Sequence, residues 1–208
     1  MVEIYRAEGV ETDARTFQEV ELQARLVLHD RVEEGNTGTE PELWQEYFVA
    51  LFTGCGVPPS GLERVSERVR EAHAESHLWT HTAPRTAEVM MQLAKAGYRI
   101  GVISNADGRM EGALERAGVR PYIEFVIDSA TVGVEKPAPE IFRAGCEALD
   151  MPPDSCLYVG DLYPVDYLGA TAAGLEAVLL DPLGVHSARA STVSDLEALP
   201  AWLEARRA

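Results

Sequence analysis

The pattern of hydrophobic positions changes character near residue 80 of this 208-residue chain. Before that point, Asp13–Glu34, Glu42–Phe52 and Leu62–His77 place apolar side chains at a spacing near the 3.6-residue period of a helix. Asp13 stands where the first of these helices should begin and is its predicted N-cap. No strand pattern occurs before residue 97. The pattern therefore predicts an all-helical module over residues 1–80.

After Pro84, short apolar runs alternate with helical segments. The predicted strands are YRIGVIS, IEFVI, CLYVG and LEAVLL. The predicted helices are Thr86–Ala96, Gly108–Ala117, Pro139–Leu149, the small-residue segment DYLGATAAG, and Ser194–Ala205. This alternation is typical of a parallel, doubly wound sheet. We therefore predict an α/β fold, with a Rossmann-like parallel-sheet core over residues 81–208 that follows the helical module.

Charge and cysteine content narrow the range of partners. The chain has 18 basic and 34 acidic residues, a net charge of −16, which disfavours nucleic acid and anionic membrane surfaces as partners. No apolar run approaches the roughly 20 residues of a membrane span. Three cysteines, an odd number with none in a CxxC motif, are typical of a reducing compartment. We expect a cytoplasmic protein, with neither nucleic acid nor membrane as a partner.

Candidate chemistry lies at the carboxyl ends of the predicted strands, where open parallel sheets bind their ligands. Ser104 and Asn105 end the first strand, and a hydroxyl there either donates to an anion or caps the next helix. Lys136, one of only two lysines, stands at the start of a helix, where its charge opposes the helix dipole. An anion between the ammonium and the helix amides would offset that conflict, although the lysine could equally have no special role.

The third predicted strand ends in a pair of acids, which is the most specific signal in the chain. Asp161 follows Gly160 at the strand end, and Asp166 comes five residues later on the next helical turn. Two carboxylates that converge at one strand end repel each other unless a cation lies between them. Mg²⁺ suits such a site, because it binds one or two carboxylates together with substrate phosphate and water.

Taken together, these segments resemble the haloacid dehalogenase (HAD) superfamily. VISN resembles its second motif, VEKPAPEIF its third and YVGDLYPVDYLGA its fourth, and the helical module resembles its cap. The resemblance implies a hydrolase that transfers a phosphoryl group to an aspartate, with Mg²⁺ as cofactor. By the same resemblance, Ser104 and Asn105 would bind the phosphoryl group, and Lys136 would hold the nucleophile and the phosphate together. Asp161 would be a catalytic Mg²⁺ ligand, with Asp166 as a second ligand or a support.

The chain departs from the family at the first motif, which supplies the aspartate nucleophile at the end of the central strand. No such motif precedes the helical module. We therefore expect a truncated start and no activity in this chain. We also expect a gap of about 9–10 Å where the first strand would lie. The gap would separate the strands at Ile100–Ser104 and Leu157–Gly160. In a genuine non-catalytic relative, those strands would instead pair directly at about 4.8 Å.

The function predicted from the sequence is a Mg²⁺-dependent phosphomonoesterase that acts on a small-molecule phosphate ester. One alternative is a non-catalytic, anion-binding or regulatory relative, which the missing first motif favours. A second alternative is a 2-haloacid dehalogenase-like hydrolase. Asp161 argues against that alternative, because displacement of a halide gains nothing from an acid placed to bind a metal.

Overall fold

The computed structural model describes residues 1–7, 9–33, 41–75 and 82–206. It divides into two compact units, Met1–Leu78 and Trp79–Ala208. The sequence-based boundary at residue 80 and the end of the predicted helix Leu62–His77 lie outside the described residues. No helix in the described ranges combines the length and the apolar character needed to cross a membrane.

The first unit is helical in its described part. Its helices are α1 (Val2–Ala7), α2 (Ala14–Glu33), α3 (Pro41–Gly54) and α4 (Leu62–Glu75). The predicted N-cap of α2 is confirmed, because the Asp13 carboxylate accepts a hydrogen bond from the Thr16 N–H at 2.7 Å. Leu43, Tyr47 and Leu51 form the buried stripe of α3 at four-residue intervals. Helix α1 was not predicted, because six residues are too few to show a helical period.

The second unit alternates helices and strands. Its elements are α5 (Thr86–Lys95), β1 (Gly101–Ser104), α6 (Met110–Arg116), β2 (Phe125–Asp128), α7 (Ser129–Val132), α8 (Pro139–Ala148), β3 (Leu157–Gly160), α9 (Leu168–Ala172), β4 (Glu176–Leu180), β5 (Thr192–Val193) and α10 (Leu199–Ala205). A π-helical turn, Tyr163–Tyr167, precedes α9. All strand pairs are parallel. Strand β5 was not predicted, because two residues carry no readable alternation.

Helices cover the strands of the second unit on both faces. Phe142 and Cys146 of α8 pack with Ala170 of α9 on one face. Val89 of α5 and Leu199 of α10 pack on the other face. The first cluster contacts strands β1 to β4, so the two groups of strands share one core. Parallel strands between two layers of helices confirm the predicted α/β class.

The strands form two sheets, divided between β1 and β3, where the sequence analysis expected a gap. Strands β1 and β2 form one, and β3, β4 and β5 form the other. Within residues 82–206, β1 and β3 share no hydrogen-bond ladder, and the directly paired arrangement is therefore not found. Every residue of β1 and of β3 is only half-buried, whereas the centre of β4 is fully buried. This pattern is what two strands with an unpaired edge would show.

Candidate functional site

A buried ion pair lies at the carboxyl end of β3. The Lys136 ammonium is 2.6 Å from Asp166 Oδ1, and the two side chains are only 12% and 3% exposed. The sequence left two interpretations of Lys136: an anion offsets its charge at the start of α8, or the lysine has no special role. The structure places a protein anion beside the ammonium, the Asp166 carboxylate.

The second oxygen of Asp166 is also engaged. Oδ2 accepts hydrogen bonds from the N–H groups of Asp161 at 3.0 Å and of Leu162 at 2.9 Å. This contact is possible because residue 160 is glycine: a Cβ there would lie 2.3 Å from the Asp166 Cβ. Since both oxygens are occupied and the residue is buried, the geometry favours the supporting role for Asp166 over the role of a second metal ligand.

Tyr158 completes this cluster, and its role was not apparent from the sequence. The Lys136 ammonium donates to the Tyr158 hydroxyl at 3.0 Å. That hydroxyl lies 3.3 Å from two possible acceptors, Asp166 Oδ1 and the carbonyl oxygen of Ile103 in β1. A tyrosine inside a short apolar strand was the available signal, because its hydroxyl requires a partner there. Tyr158 of β3 therefore contacts both the Lys136–Asp166 ion pair and strand β1 of the other sheet.

The charges in this cluster shift the pKa values of its members. Burial by itself lowers the pKa of Lys136, but the Asp166 charge and the hydrogen bonds that the ammonium donates to Asp166 and Tyr158 raise it, and the net pKa lies above the ordinary lysine value. Burial raises the pKa of Tyr158, and the Asp166 charge raises it further. At neutral pH the cluster therefore contains an ammonium ion and a neutral phenol.

Asn105 holds the backbone of residue 136 against the end of β1. Its Oδ1 accepts from the Lys136 N–H at 2.8 Å, and its Nδ2 donates to the Lys136 carbonyl at 2.9 Å. Both ends of the amide therefore position Lys136, which favours positioning over the direct substrate contact that the sequence suggested. Ser104, the last residue of β1, is half-buried beside it.

Asp128 fixes the loop that follows Ser104. This buried carboxylate ends β2 opposite Ser104 in the register, and it accepts hydrogen bonds from the N–H groups of Gly108, Met110 and Ala130 at 2.9–3.2 Å. The sequence analysis did not give it a role. The sequence feature that could have identified it is an aspartate between a strand and a helix, which is a usual N-cap position.

Asp161 is the residue of this edge best suited to a metal ion. It directly follows the last residue of β3 and is half-buried, so its carboxylate is more accessible than that of Asp166. Among the described residues, no three His, Cys, Asp or Glu side chains come together as a metal-binding group. One protein carboxylate nevertheless fits Mg²⁺, which takes most of its ligands from water and substrate phosphate. Asp161 would thus hold the ion, with Asp166 behind it.

Comparisons with known proteins agree with this architecture. A model of the haloacid dehalogenase-like hydrolase family matches residues 5–174. Haloacid dehalogenase-like hydrolase domain-containing protein 3 of Mus musculus is 30% identical over 180 residues, which cover 84% of this chain and 71% of that protein. Glyceraldehyde 3-phosphate phosphatase of Methanothermobacter thermautotrophicus is 35% identical over 99 residues, 47% of this chain and 44% of that enzyme.

Solved structures show the same fold. The magnesium-bound HAD hydrolase YfnB of Bacillus subtilis superposes with a TM-score of 0.68 and 18% identity, over 97% of this chain and 88% of that one. At this level of identity the likeness supports the fold, including the helical cap, and not the reaction.

Proposed function

Because this chain belongs to the haloacid dehalogenase-like hydrolases, we propose that its site is that of a phosphomonoesterase and binds a small-molecule phosphate monoester. The observation that carries the proposal is the buried Lys136–Asp166 pair at the carboxyl end of a parallel sheet. A cation held by neighbouring groups can neutralise phosphate charge without rearrangement. The phosphatase named among the relatives supports the same class of substrate.

The proposed roles follow from the contacts. Lys136 supplies positive charge to the phosphate, and Asp166 and Tyr158 fix the direction in which its ammonium points. Asn105 fixes the backbone of the lysine. Ser104, at the end of β1, donates its hydroxyl to a phosphate oxygen.

The proposed cofactor is Mg²⁺, with Asp161 as its protein ligand. When bound, the ion would neutralise negative charge on the phosphate. The peptide N–H of Asp161 donates to Asp166, so the backbone that carries this ligand is fixed by the same carboxylate that fixes Lys136. Asp166 thereby connects the two positive groups that a phosphate would meet.

The family resemblance implies an aspartate nucleophile, and the sequence motif that supplies it is not found in the 208 residues. We propose that this chain on its own binds phosphate but does not turn it over. The half-buried strands β1 and β3, which belong to different sheets, support this proposal, since the resemblance places the nucleophile strand between them. A non-catalytic anion-binding protein remains the second candidate, favoured by the same observation.

Phosphate binding tests the proposal directly. Inorganic phosphate with Mg²⁺ is titrated into the full chain by calorimetry, and into Lys136→Met and Lys95→Met variants. Lys95 is a matched control, because it is the other lysine of the chain and is exposed on α5. We expect Lys136→Met to weaken binding at least tenfold and Lys95→Met to leave it unchanged. Equal affinity of the Lys136→Met and wild-type chains, with both folded by circular dichroism, would overturn the proposal.

A further inference from the structure

The connection between β4 and β5 leaves the sheet at the edge that carries Asp161. Strands β3 and β4 are parallel, with Gly160 opposite Leu179, so the residues that follow these two positions emerge at one end of the sheet. None of the site residues described above comes from this connection. Its polar side chains therefore lie on the ligand-binding edge without an assigned role.

The connection is held in a defined conformation. The buried Asp181 carboxylate accepts hydrogen bonds from the N–H groups of Val185 at 3.1 Å and His186 at 2.8 Å. The carbonyl oxygen of His186 in turn accepts from the N–H of Arg189 at 2.9 Å. The His186 side chain is nearly inaccessible, at 3% exposure, which is unusual for a polar residue in a surface connection.

His186 and Tyr163 together fix the guanidinium of Arg189. The His186 ring stacks on the Tyr163 ring, with centroids 5.0 Å apart and planes within 8°. The guanidinium carbon of Arg189 lies 4.2 Å from the centroid of the Tyr163 ring. Its Nε and Nη2 are 3.1 and 2.7 Å from His186 Nδ1, which must be the acceptor because arginine has only donors. Arg189 is nevertheless exposed, so a fixed cation faces solvent.

Tyr163 links this cation to the phosphate site. It follows Asp161 by two residues and begins the π-helical turn that carries Asp166. The ring beneath Arg189 and the carboxylate that binds Lys136 thus belong to one short turn. A ligand bound at Lys136 and Asp161 would have Arg189 on the β4 side of its site.

We propose that Arg189 determines substrate specificity by binding a second anionic group of the phosphate ester, either a carboxylate or a second phosphate. This inference rests on the proposed function. A planar guanidinium pairs with both kinds of anion through parallel hydrogen bonds. Because stacking and the histidine contact already fix its orientation, little side-chain entropy is lost on binding.

The test uses synthetic ligands with matched backbones. Phosphate monoesters of linear diols with two to five carbons are compared by calorimetry with the corresponding bisphosphates and with phosphooxy carboxylates of equal length. Each series is measured on the wild-type chain and on Arg189→Gln, whose amide can still donate to His186. Arg99→Gln is the control, because Arg99 is an exposed arginine that precedes β1, at the opposite end of the sheet.

We expect the wild-type chain to bind at least one doubly anionic series about tenfold or more tightly than the matched monoesters. Arg189→Gln should abolish that preference and leave the affinity for inorganic phosphate unchanged, whereas Arg99→Gln should keep the preference. The preferred series identifies the second anion as carboxylate or phosphate. Phosphate binding without any preference, or a preference that survives Arg189→Gln, would overturn the inference alone. A wild-type chain that binds no probe would overturn the proposed function as well.

Discussion

At the scale of single residues, the site depends on the Asp166 carboxylate, which accepts hydrogen bonds from a lysine side chain and from the backbone. Asp166 accepts from the Lys136 ammonium with one oxygen and from two peptide N–H groups with the other. Removal of one partner from a buried pair leaves the other charge without compensation, which costs far more than the net stabilisation of the intact pair. Asp166 should therefore matter more to folding than Asp161, although both are acids of one motif.

We expect Asp166→Ala to lower the free energy of unfolding by about 3–5 kcal/mol. Asp161→Ala should change it by no more than about 1 kcal/mol, because Asp161 is more accessible than the buried Asp166. Urea denaturation of the two variants measures the difference. Similar losses for both variants would contradict the supporting role assigned to Asp166.

The charge on Lys136 gives a prediction about pH. Because the pKa of Lys136 is raised in the folded chain, its contribution to stability is fully present below the ordinary lysine pKa of about 10.4. That contribution is lost only as the pH rises through the higher pKa of the folded state. A Lys95→Arg variant leaves Lys136 as the only lysine. In that variant, the Lys136 Cε signal in ¹³C NMR should begin to shift at a higher pH than the Cε signal of a lysine model peptide. Titration at or below pH 10.4 would show that the pair is not formed.

At the scale of elements, the site depends on how closely the end of β3 approaches the π-helical turn Tyr163–Tyr167. Gly160 ends the strand, and Asp166 packs against it so closely that a side chain at residue 160 has no room. The backbone conformation does not require glycine here. The requirement comes from the neighbouring carboxylate, which could not otherwise reach the N–H groups of Asp161 and Leu162.

We expect Gly160→Ala to destabilise the second unit by about 1–3 kcal/mol through overpacking. It should also weaken phosphate binding, because Asp166 must move. Gly112→Ala is the control: it lies within α6, and its new Cβ would meet only the flexible end of Arg116 at 3.3 Å. That variant should gain about 0.5–1 kcal/mol from better helix propensity. Thermal unfolding and calorimetry with phosphate measure both effects, and unchanged phosphate affinity in Gly160→Ala would contradict the proposed geometry.

At the scale of the whole molecule, the strands of the second unit differ in how well they are shielded from water. The middle of β4 is buried and pairs on both sides, with β3 and β5. Strands β1 and β3 each pair on one side and are half-buried. Strand edges with unpaired N–H and C=O groups are available to water or to another strand.

Native-state hydrogen exchange should therefore be slower in β4 than in β1 and β3. We expect the amides of Val178 and Leu179 in β4 to exchange at least tenfold more slowly than those of Val102 in β1 and Val159 in β3. Mass spectrometry or NMR at neutral pH measures the rates. Equal protection of β1, β3 and β4 would mean that the strands form one continuous sheet in solution.

Turnover is also a property of the whole chain. Since we propose that this chain does not supply the aspartate nucleophile, we expect no hydrolysis of p-nitrophenyl phosphate above background in the presence of Mg²⁺; loss of a covalent nucleophile costs many powers of ten in rate. The same preparation should still bind inorganic phosphate. Strong Mg²⁺-dependent hydrolysis that Asp161→Ala abolishes would refute the proposed inactivity and demand a different nucleophile.

The sequence by itself determined the elements and the edge at which the chemistry lies. Helical and strand periods are local properties, so the helices around α2, α3 and α8 and the strands β1 to β4 could be predicted close to their observed bounds. The acids after the third strand pointed to Asp161 and Asp166, and the start of a helix pointed to Lys136, for the same reason. The motifs were also sufficient to identify the family.

Only the tertiary structure decided which groups are partners. Lys136 and Asp166 are 30 residues apart, and Tyr158 reaches Ile103 across 55 residues, so no local pattern could pair them. The same holds for Arg189, whose orientation depends on Tyr163 from another element. The division of the strands into two sheets was expected only from the family resemblance and the missing first motif, because hydrogen bonding between strands depends on what lies beside each edge and not on the sequence of the strand.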